Sequence, residues 1–94
     1  MAQALSKDKI DQALKGLSGW QLVDGKAIAK SYSFKNYYET MAFVNAIAFV
    51  AHKADHHPDL EVGYNKCKVT YSTHSVGGLS EADFRNAQAV ENLG

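Results

Sequence analysis

The 94-residue sequence has one cysteine, one proline and no net charge, and each shortage excludes a class of protein. The single cysteine, Cys67, cannot form an internal disulfide, so the chain is not a disulfide-stapled secreted scaffold. Ten basic residues balance ten acidic ones, which leaves no electrostatic footprint for nucleic acid or an anionic membrane. No apolar run reaches the roughly 20 residues of a spanning helix, and the start, MAQALSKDKI, lacks a signal-peptide core. We therefore expect a cytoplasmic protein that binds neither nucleic acid nor membrane.

The composition favours an ordinary folded domain. Hydrophobic residues make up 46% of the chain and charged residues 21%, a balance typical of globular proteins rather than disordered ones. No repeat, low-complexity tract or linker divides the sequence, so we predict a single domain over residues 1–94. A chain this short buries only a modest core, and association into oligomers would add to the buried surface.

Turn and capping residues mark the ends of the regular elements. Ser6 is suited to cap a first helix, and Asp24 followed by Gly25 is suited to a type I′ hairpin turn, whose central residues need a positive φ. Asn65 and Lys66 are suited to a second tight turn, before a strand in which apolar and polar residues alternate. The predicted elements are helices over residues 7–17, 34–55 and 80–93 and strands over residues 20–23, 26–33, 60–64 and 67–72. This α-β-β-α-β-β-α order predicts an α+β fold with an antiparallel sheet covered by helices on one face.

The central helix is apolar almost all round. Its apolar residues form two stripes, namely Tyr37, Met41, Val44, Ala48 and Ala51 in one and Phe43, Ile47, Val50 and Ala54 in the other. A helix in a small domain needs only one buried face, so we expect the second face to meet another subunit. The alternative is that the hairpins wrap this helix more fully than usual.

Three of the four histidines lie at the end of this helix, around the only proline of the chain. His52 and His56 are four residues apart, so both side chains are expected to lean toward one surface. Pro58 disfavours the α region for the residue before it, which pushes His57 toward an extended conformation. The fourth histidine, His74, closes the predicted strand VTYSTH.

A purely structural interpretation exists for each of these residues. Imidazoles near a helix C-terminus can bond free carbonyls and favour the helix dipole. Asp83 stands three residues after Ser80, where an acidic residue completes a capping box. All four histidines and this aspartate nevertheless fall between residues 52 and 83, at breaks between elements, and such clustering favours chemistry.

One chemistry open to the cluster is metal ligation. His52 and His56 have a suitable helical spacing, and further ligands would come from His57, His74 or Asp83. Zinc hydrolase helices, however, usually place a glutamate beside the first histidine, where this chain has Lys53.

The other chemistry is acid–base catalysis without a metal. Imidazole has an ordinary pKa of about 6.5, so it can both accept and donate a proton near neutrality. Several imidazoles around one pocket suit a reaction that removes a proton from one atom and protonates a leaving group on another. The residue types alone leave both chemistries open.

The stretch HKADHHPDLEVGYNKCKVTYSTHSVGGLSEAD resembles the signature of the pterin-4a-carbinolamine dehydratase family. That signature has a frequently acidic position, then His-His-Pro, an aromatic residue, Thr-His, Gly-Leu with Ser or Thr, and an aspartate. The matching positions here are His56-His57-Pro58, Tyr64, Thr73-His74, Gly78-Leu79-Ser80 and Asp83. The match covers about a third of the chain, and the flanking Gly19-Trp20 and SFKNYYETMAFVNAIA are also similar to the family.

The resemblance implies a fold, an assembly and an activity. The fold is a four-stranded antiparallel sheet with three helices on one face, and the assembly is a homodimer or homotetramer. The activity is dehydration of 4a-hydroxytetrahydrobiopterin to quinonoid dihydrobiopterin, which recycles the pterin spent by aromatic amino-acid hydroxylases. The pterin is the substrate, so the resemblance implies neither a metal nor a cofactor.

The resemblance also implies roles for individual residues. His56 and His74 are similar to the acid–base pair, with the donor and the acceptor left open between them. His57 is similar to the histidine that orients the substrate, and Asp83 is similar to the carboxylate that positions the site. Pro58 and Thr73 would support the site structurally.

Two departures and one alternative remain. His52 stands where relatives often have a glutamate, which leaves its part in orienting substrate open, and Leu60 stands where some relatives have a tryptophan.

The alternative function is a non-catalytic dimerisation or adaptor protein, of the transcriptional coactivator or assembly-factor type. Such a protein would use its apolar central helix to bind a partner.

Overall fold

The computed structural model describes residues 3–93. Its elements are α1 (Lys7–Lys15), β1 (Gln21–Val23), β2 (Ala27–Ser33), α2 (Tyr37–Ala54), β3 (Asp59–Val62), β4 (Lys66–Tyr71), a short 3₁₀ helix (His74–Val76) and α3 (Glu81–Glu91). The strands form one antiparallel sheet in the order β1-β2-β4-β3. The order of helices and strands confirms the predicted α+β fold.

One core joins the three helices to the same face of the sheet. Alternate residues of β4, at positions 67, 69 and 71, are fully buried, as the period of two predicts. They pack with Ile10 of α1, Ile47 of α2, and Ala87 and Val90 of α3. Cys67 is therefore a core residue, and burial raises the pKa of its thiol.

The first hairpin follows the predicted turn chemistry. Asp24 and Gly25 have φ values of 52° and 69°, and the Lys26 N–H donates to the Val23 carbonyl over 3.0 Å. At the start of α1, the Ser6 side chain accepts the Lys9 N–H, which confirms Ser6 as an N-cap.

The start of α2 corrects a prediction. The helix begins at Tyr37 rather than at residue 34, because the Phe34 N–H donates to the Asn65 carbonyl and keeps that part of the chain extended. Asn36 then caps the helix, since its side chain accepts the Glu39 N–H over 2.9 Å. The tertiary contact, rather than helix propensity, decides where this helix starts.

Other boundaries also differ from the predictions. α1 ends at Lys15 rather than at residue 17, and α3 ends at Glu91 rather than at residue 93. β3 ends at Val62, and Lys66 belongs to β4, so the second turn consists of residues 63–65. His74, predicted to close a strand, instead begins the 3₁₀ helix. A bridge between Thr73 and Gly78 encloses this 3₁₀ helix.

The buried face of α2 combines parts of both predicted stripes. Thr40, Ile47 and Ala51 are buried, while Tyr37 and Ala48 of the first stripe are exposed. The opposite face exposes large aromatic side chains, with Tyr38 83% and Phe49 66% exposed. Among residues 3–93, no helix is both long and apolar enough to cross a membrane.

Candidate functional site

The end of α2 turns the chain so that His56 leaves the helix. Asp55 has a left-handed backbone, with φ 53° and ψ 41°. The Asp55 N–H donates to the His52 carbonyl and the His56 N–H to the Ala51 carbonyl, over 3.3 and 3.1 Å. These two bonds form a Schellman motif, in which a left-handed residue closes the helix. His52 and His56 therefore do not lie along one helical face as predicted, because only His52 is helical.

Asp83 is the buried centre of the site. Its side chain has no exposed surface, and its two carboxylate oxygens lie close to three different groups. Oδ1 lies 2.6 Å from His56 Nε2, while Oδ2 accepts the Thr73 hydroxyl over 2.7 Å and the Ser80 N–H over 2.9 Å. Three separate segments of the chain thus meet at one carboxylate.

The position of Asp83 in α3 explains how a carboxylate becomes buried there. It lies in the first turn of the helix that Ser80 precedes, and its bond to the Ser80 N–H is the reciprocal half of a capping box. The helix N-terminus carries partial positive charge, which favours an acidic side chain there. The capping role and the functional role proposed from the sequence are therefore compatible in Asp83.

The hydrogen-bond pattern assigns the protons of the cluster. An ionised carboxylate can only accept, so Nε2 of His56 carries the hydrogen in the contact with Asp83. In the neutral ring, Nδ1 is then left as the acceptor. The Thr73 hydroxyl proton goes to Asp83, so in the 2.8 Å contact with Ser80 the serine hydroxyl is the donor. The site thus holds one imidazole in a single tautomer with one nitrogen available.

Tyr71, which no sequence motif marked as a site residue, also lies at the cluster. Its ring lies against the imidazole of His56, with centroids 5.7 Å apart and planes 12° apart. Burial, and then the negative charge of Asp83, raise the pKa of Tyr71 to about 12. The available signal was its position as the last residue of β4, two residues before Thr73.

The other histidines lie beside this cluster rather than within it. His57 and His74 are exposed, and each is the chain neighbour of a residue that contacts Asp83. His52 is also exposed, in the last turn of α2. Across residues 3–93, no hydrogen bond joins the rings of these three histidines to Asp83.

A closed loop fixes the backbone that carries His74. The Thr73 N–H donates to the Gly78 carbonyl over 2.7 Å, and the Gly78 N–H donates back over 3.4 Å. Gly77 has a φ of 66°, a conformation that glycine adopts without a steric penalty. Because Thr73 also bonds Asp83, His74 is held one residue from the carboxylate cluster.

Two clefts of the single chain lie near the cluster. One, of about 620 Å³, lies between the starts of α1 and α3 and is lined by Ser80 among other residues. The other, of about 540 Å³, lies between α2 and α3 and is lined by Phe49, Lys53 and Arg85 among others. Neither is lined by His56, His57 or His74, and in residues 3–93 no group of three His, Cys, Asp or Glu side chains is arranged to hold a metal ion.

Comparison with known families matches residues 3–93 to the family model described as pterin 4 alpha carbinolamine dehydratase. The chain belongs to this family. The match covers both the buried carboxylate and all four histidines, so the sequence resemblance is confirmed over nearly the whole chain rather than a third of it.

Similar members of the pterin-4a-carbinolamine dehydratase family occur in several bacteria. A relative from Nitrosospira multiformis is 56% identical over 89 residues, which are 95% of this chain and 78% of the relative. One from Bdellovibrio bacteriovorus is 57% identical over 97% of this chain and 78% of its own length. Both are provisionally named as pterin-4-alpha-carbinolamine dehydratases.

Two solved structures place the fold in the same family. A transcriptional coactivator/pterin dehydratase from Brucella melitensis has a TM-score of 0.90 and 38% identity, covering 95% of this chain and 96% of that one. A pterin dehydratase-like protein described as a RuBisCO assembly factor in the alpha-carboxysome has a TM-score of 0.68 and 25% identity, covering 80% and 88%. Family membership therefore supports a dehydratase, in a family whose named members also have other tasks.

Proposed function

We propose that this protein is a hydro-lyase that converts 4a-hydroxytetrahydrobiopterin to quinonoid dihydrobiopterin and water. The observation that carries the proposal is the 2.6 Å contact between His56 Nε2 and the fully buried Asp83 carboxylate. In this proposal the pterin is the substrate, and no further cofactor takes part.

The reaction needs one proton acceptor and one proton donor. The bond between C4a and the hydroxyl oxygen breaks, and that oxygen takes up a proton and leaves as water. The ring nitrogen next to C4a loses its proton, and a carbon–nitrogen double bond forms. Protons balance overall, so a pair of imidazoles in opposite protonation states suits this chemistry.

We assign the acceptor role to His56 and the donor role to His74. When His56 Nδ1 accepts a proton, the ring becomes an imidazolium, and the carboxylate beside Nε2 stabilises it. His74 is exposed and is fixed by the Thr73–Gly78 bridge, so its ring is accessible to a bound pterin. His57, next to His56, would orient the substrate, and His52 would contribute from the last turn of α2.

The proposal also assigns a place in metabolism. An aromatic amino-acid hydroxylase forms the 4a-hydroxy adduct as it oxidises its amino acid, so such a hydroxylase is the expected functional partner. The dehydratase would then act in the cytoplasm and return the pterin for reduction.

A coupled assay tests the proposal. Phenylalanine hydroxylase generates the 4a-hydroxy adduct, and the decay of this adduct is followed with and without the protein. We expect faster decay with the wild-type protein, and decay close to the spontaneous rate with His56→Ala. Lys53→Ala, an exposed change near the same helix end, is the control and should keep the wild-type rate. If the wild-type protein leaves the decay at its spontaneous rate, the proposed function is wrong.

The exposed face of α2 supports the proposal of a homo-oligomer. Tyr38, Ala42, Asn45 and Phe49 are all exposed and follow one another at spacings of four, three and four residues, the spacing of a helix-pairing seam. In an antiparallel pair of α2 helices centred on this seam, Phe49 of one copy would face Tyr38 of the other, and Ala42 would face Asn45.

Sedimentation analysis tests this assembly. Phe49→Glu should shift the protein toward the monomer, because it places a charge against an aromatic residue of the proposed seam. Leu22→Glu, an exposed apolar position on β1, should leave the assembly unchanged. Equal molecular masses for the wild type and Phe49→Glu would argue against this face as the interface.

The adaptor function is the second candidate, and the same exposed face favours it. Two structural relatives are described as a transcriptional coactivator/pterin dehydratase and as an assembly factor. A stoichiometric complex with a partner protein that Phe49→Glu abolishes, together with no measurable turnover, would favour this function over the enzyme.

A further inference from the structure

Tyr71 lies beneath the imidazole of His56 and is held rigidly there. Its side chain has no exposed surface, and Trp20 packs against it with ring centroids 6.3 Å apart. The Tyr71 and His56 rings are nearly parallel, with 12° between their planes. A ring enclosed in a close-packed core keeps one orientation, so the face that it presents to His56 is fixed.

The hydrogen bond to Asp83 does not fix the imidazole of His56 by itself. It holds Nε2 near Oδ1, but a hydrogen bond tolerates a range of angles, so small rotations about χ1 and χ2 can still tilt the ring. Such a rotation would swing Nδ1, the nitrogen that accepts the proton in the proposed reaction. A parallel aromatic ring on one face blocks this rotation, because the imidazole would have to move into the ring of Tyr71.

We infer that Tyr71 is a positioning residue that fixes the plane of His56, and with it the direction of Nδ1. This inference rests on the proposed dehydratase function for its catalytic consequence. Correct orientation of a catalytic group accounts for a large part of enzymatic rate, and small displacements are costly.

The aromatic ring of Tyr71, rather than its hydroxyl, carries this role. Across residues 3–93 the buried Tyr71 hydroxyl has no hydrogen-bond partner, which costs stability rather than adding it. Burial and the charge of Asp83 raise the pKa of this phenol to about 12, so the ring stays neutral at the pH of the cell. Tyr71→Phe should therefore keep the positioning role intact.

Two substitutions at position 71 distinguish the effect of the aromatic ring from the effect of filling the same space in the core. Tyr71→Leu removes the ring, and Tyr71→Phe keeps it without the hydroxyl. We expect kcat to fall about tenfold or more in Tyr71→Leu with little change in KM, because orientation rather than binding is lost. Tyr71→Phe should retain the wild-type kcat. Tyr32→Leu is the matched control, since it removes a second tyrosine ring of the sheet, which is partly buried and also packs on Trp20.

Nuclear magnetic resonance of the His56 ring gives a readout that does not depend on turnover. In the wild type and in Tyr71→Phe, the ring current should shift the His56 ring protons, and the nitrogen shifts should show one tautomer with hydrogen on Nε2. Tyr71→Leu should lose the ring-current shift and show averaged nitrogen signals. Tyr32→Leu should leave the His56 signals unchanged even though it destabilises the fold.

The outcomes distinguish this inference from the proposed function. Spontaneous decay with the wild-type protein would refute the dehydratase, while the resonance experiment would still test the positioning of His56. A wild-type rate and unchanged His56 signals in Tyr71→Leu would overturn the inference and leave the dehydratase standing. If Tyr71→Leu does not fold, wild-type spectra decide: His56 ring protons without a ring-current shift, or a mixture of tautomers, would overturn it.

Discussion

Two carboxylates on α3 receive similar numbers of hydrogen bonds and yet differ in what they can do. Asp83, at the start of the helix, contacts an imidazole, a hydroxyl and a backbone N–H. Glu91, at its end, accepts bonds on Oε1 from Trp20 Nε1, Lys30 Nζ and the Tyr32 hydroxyl. Both tie α3 to the sheet or to the loops beside it.

Asp83 and Glu91 differ in the basic side chain that each carboxylate contacts. Glu91 pairs with the ammonium group of Lys30, which can only donate, and Lys30 also donates to the Ser18 carbonyl. Asp83 pairs with the imidazole of His56, a type of side chain that can both accept and donate a proton. The Glu91 cluster is thus a structural clamp, while the Asp83 cluster keeps one titratable atom available for chemistry.

The largest effect that would distinguish the Asp83 cluster from the Glu91 cluster is the loss of turnover expected in Asp83→Asn. An amide can present an N–H to His56, which would place the imidazole proton on the wrong nitrogen and remove the charge that stabilises the imidazolium. We expect kcat for adduct decay to fall about 10²- to 10⁴-fold, the usual range for losing acid–base catalysis. Glu91→Gln should turn over like the wild type, and equal losses in the two variants would contradict the distinction.

The next effect concerns stability. Glu91→Ala leaves the donors of Trp20, Lys30 and Tyr32 without their shared acceptor, so we expect the free energy of unfolding to fall by roughly 1–3 kcal/mol. Urea denaturation measures this change. A midpoint equal to that of the wild type would show that the clamp adds nothing measurable. Turnover at a fixed fraction of folded protein should not change.

Acid should weaken the clamp. Burial alone would raise the pKa of Glu91, but hydrogen bonds from Lys30, Tyr32 and Trp20 outweigh it and lower that pKa below its ordinary value. A carboxylate with a lowered pKa stabilises the fold fully above its unfolded value, and this stabilisation is lost as the pH falls through its folded pKa. Urea midpoints measured from pH 7 to below pH 4 should therefore fall less steeply in Glu91→Gln than in the wild type. Parallel curves would argue against this linkage.

The smallest expected effect is at Asp55, the left-handed residue that turns His56 toward Asp83. Glycine adopts this conformation without the steric penalty of a side chain, so Asp55→Gly should raise the free energy of unfolding by about 0.5–1 kcal/mol. Asp55→Ala should instead lower it, since alanine tolerates the left-handed region less well than aspartate does. A loss of stability in Asp55→Gly would mean that the aspartate side chain contributes more than its conformation costs.

Local patterns predicted the elements of the fold, while contacts between distant segments decided the site. The alternation at residues 67–71 and the Asp24–Gly25 turn depend on neighbouring residues, and both predictions are confirmed. The helical spacing of His52 and His56 predicted a shared face, but the left-handed Asp55 moves His56 off the helix. Nothing in local spacing could show this, because the ring is drawn to a carboxylate 27 residues away.

The contact between Tyr71 and His56 also could not be predicted from the local sequence pattern. Tyr71 lies on the buried face of the alternating strand, with Cys67 and Val69, but burial does not show which neighbour a ring will touch. The catalytic roles of His56 and His74, and the orienting roles of His57 and His52, stay predictions.

The only tryptophan of the chain has a consequence for future measurements. Trp20 is nearly inaccessible to water, donates through Nε1 to Glu91, and packs against Tyr71, which in turn covers His56. Its emission is therefore an intrinsic optical probe that connects the Glu91 clamp with the Asp83 cluster at the start of α3. Changes in this fluorescence would follow both loosening of the helix and occupation of the site, without any attached dye.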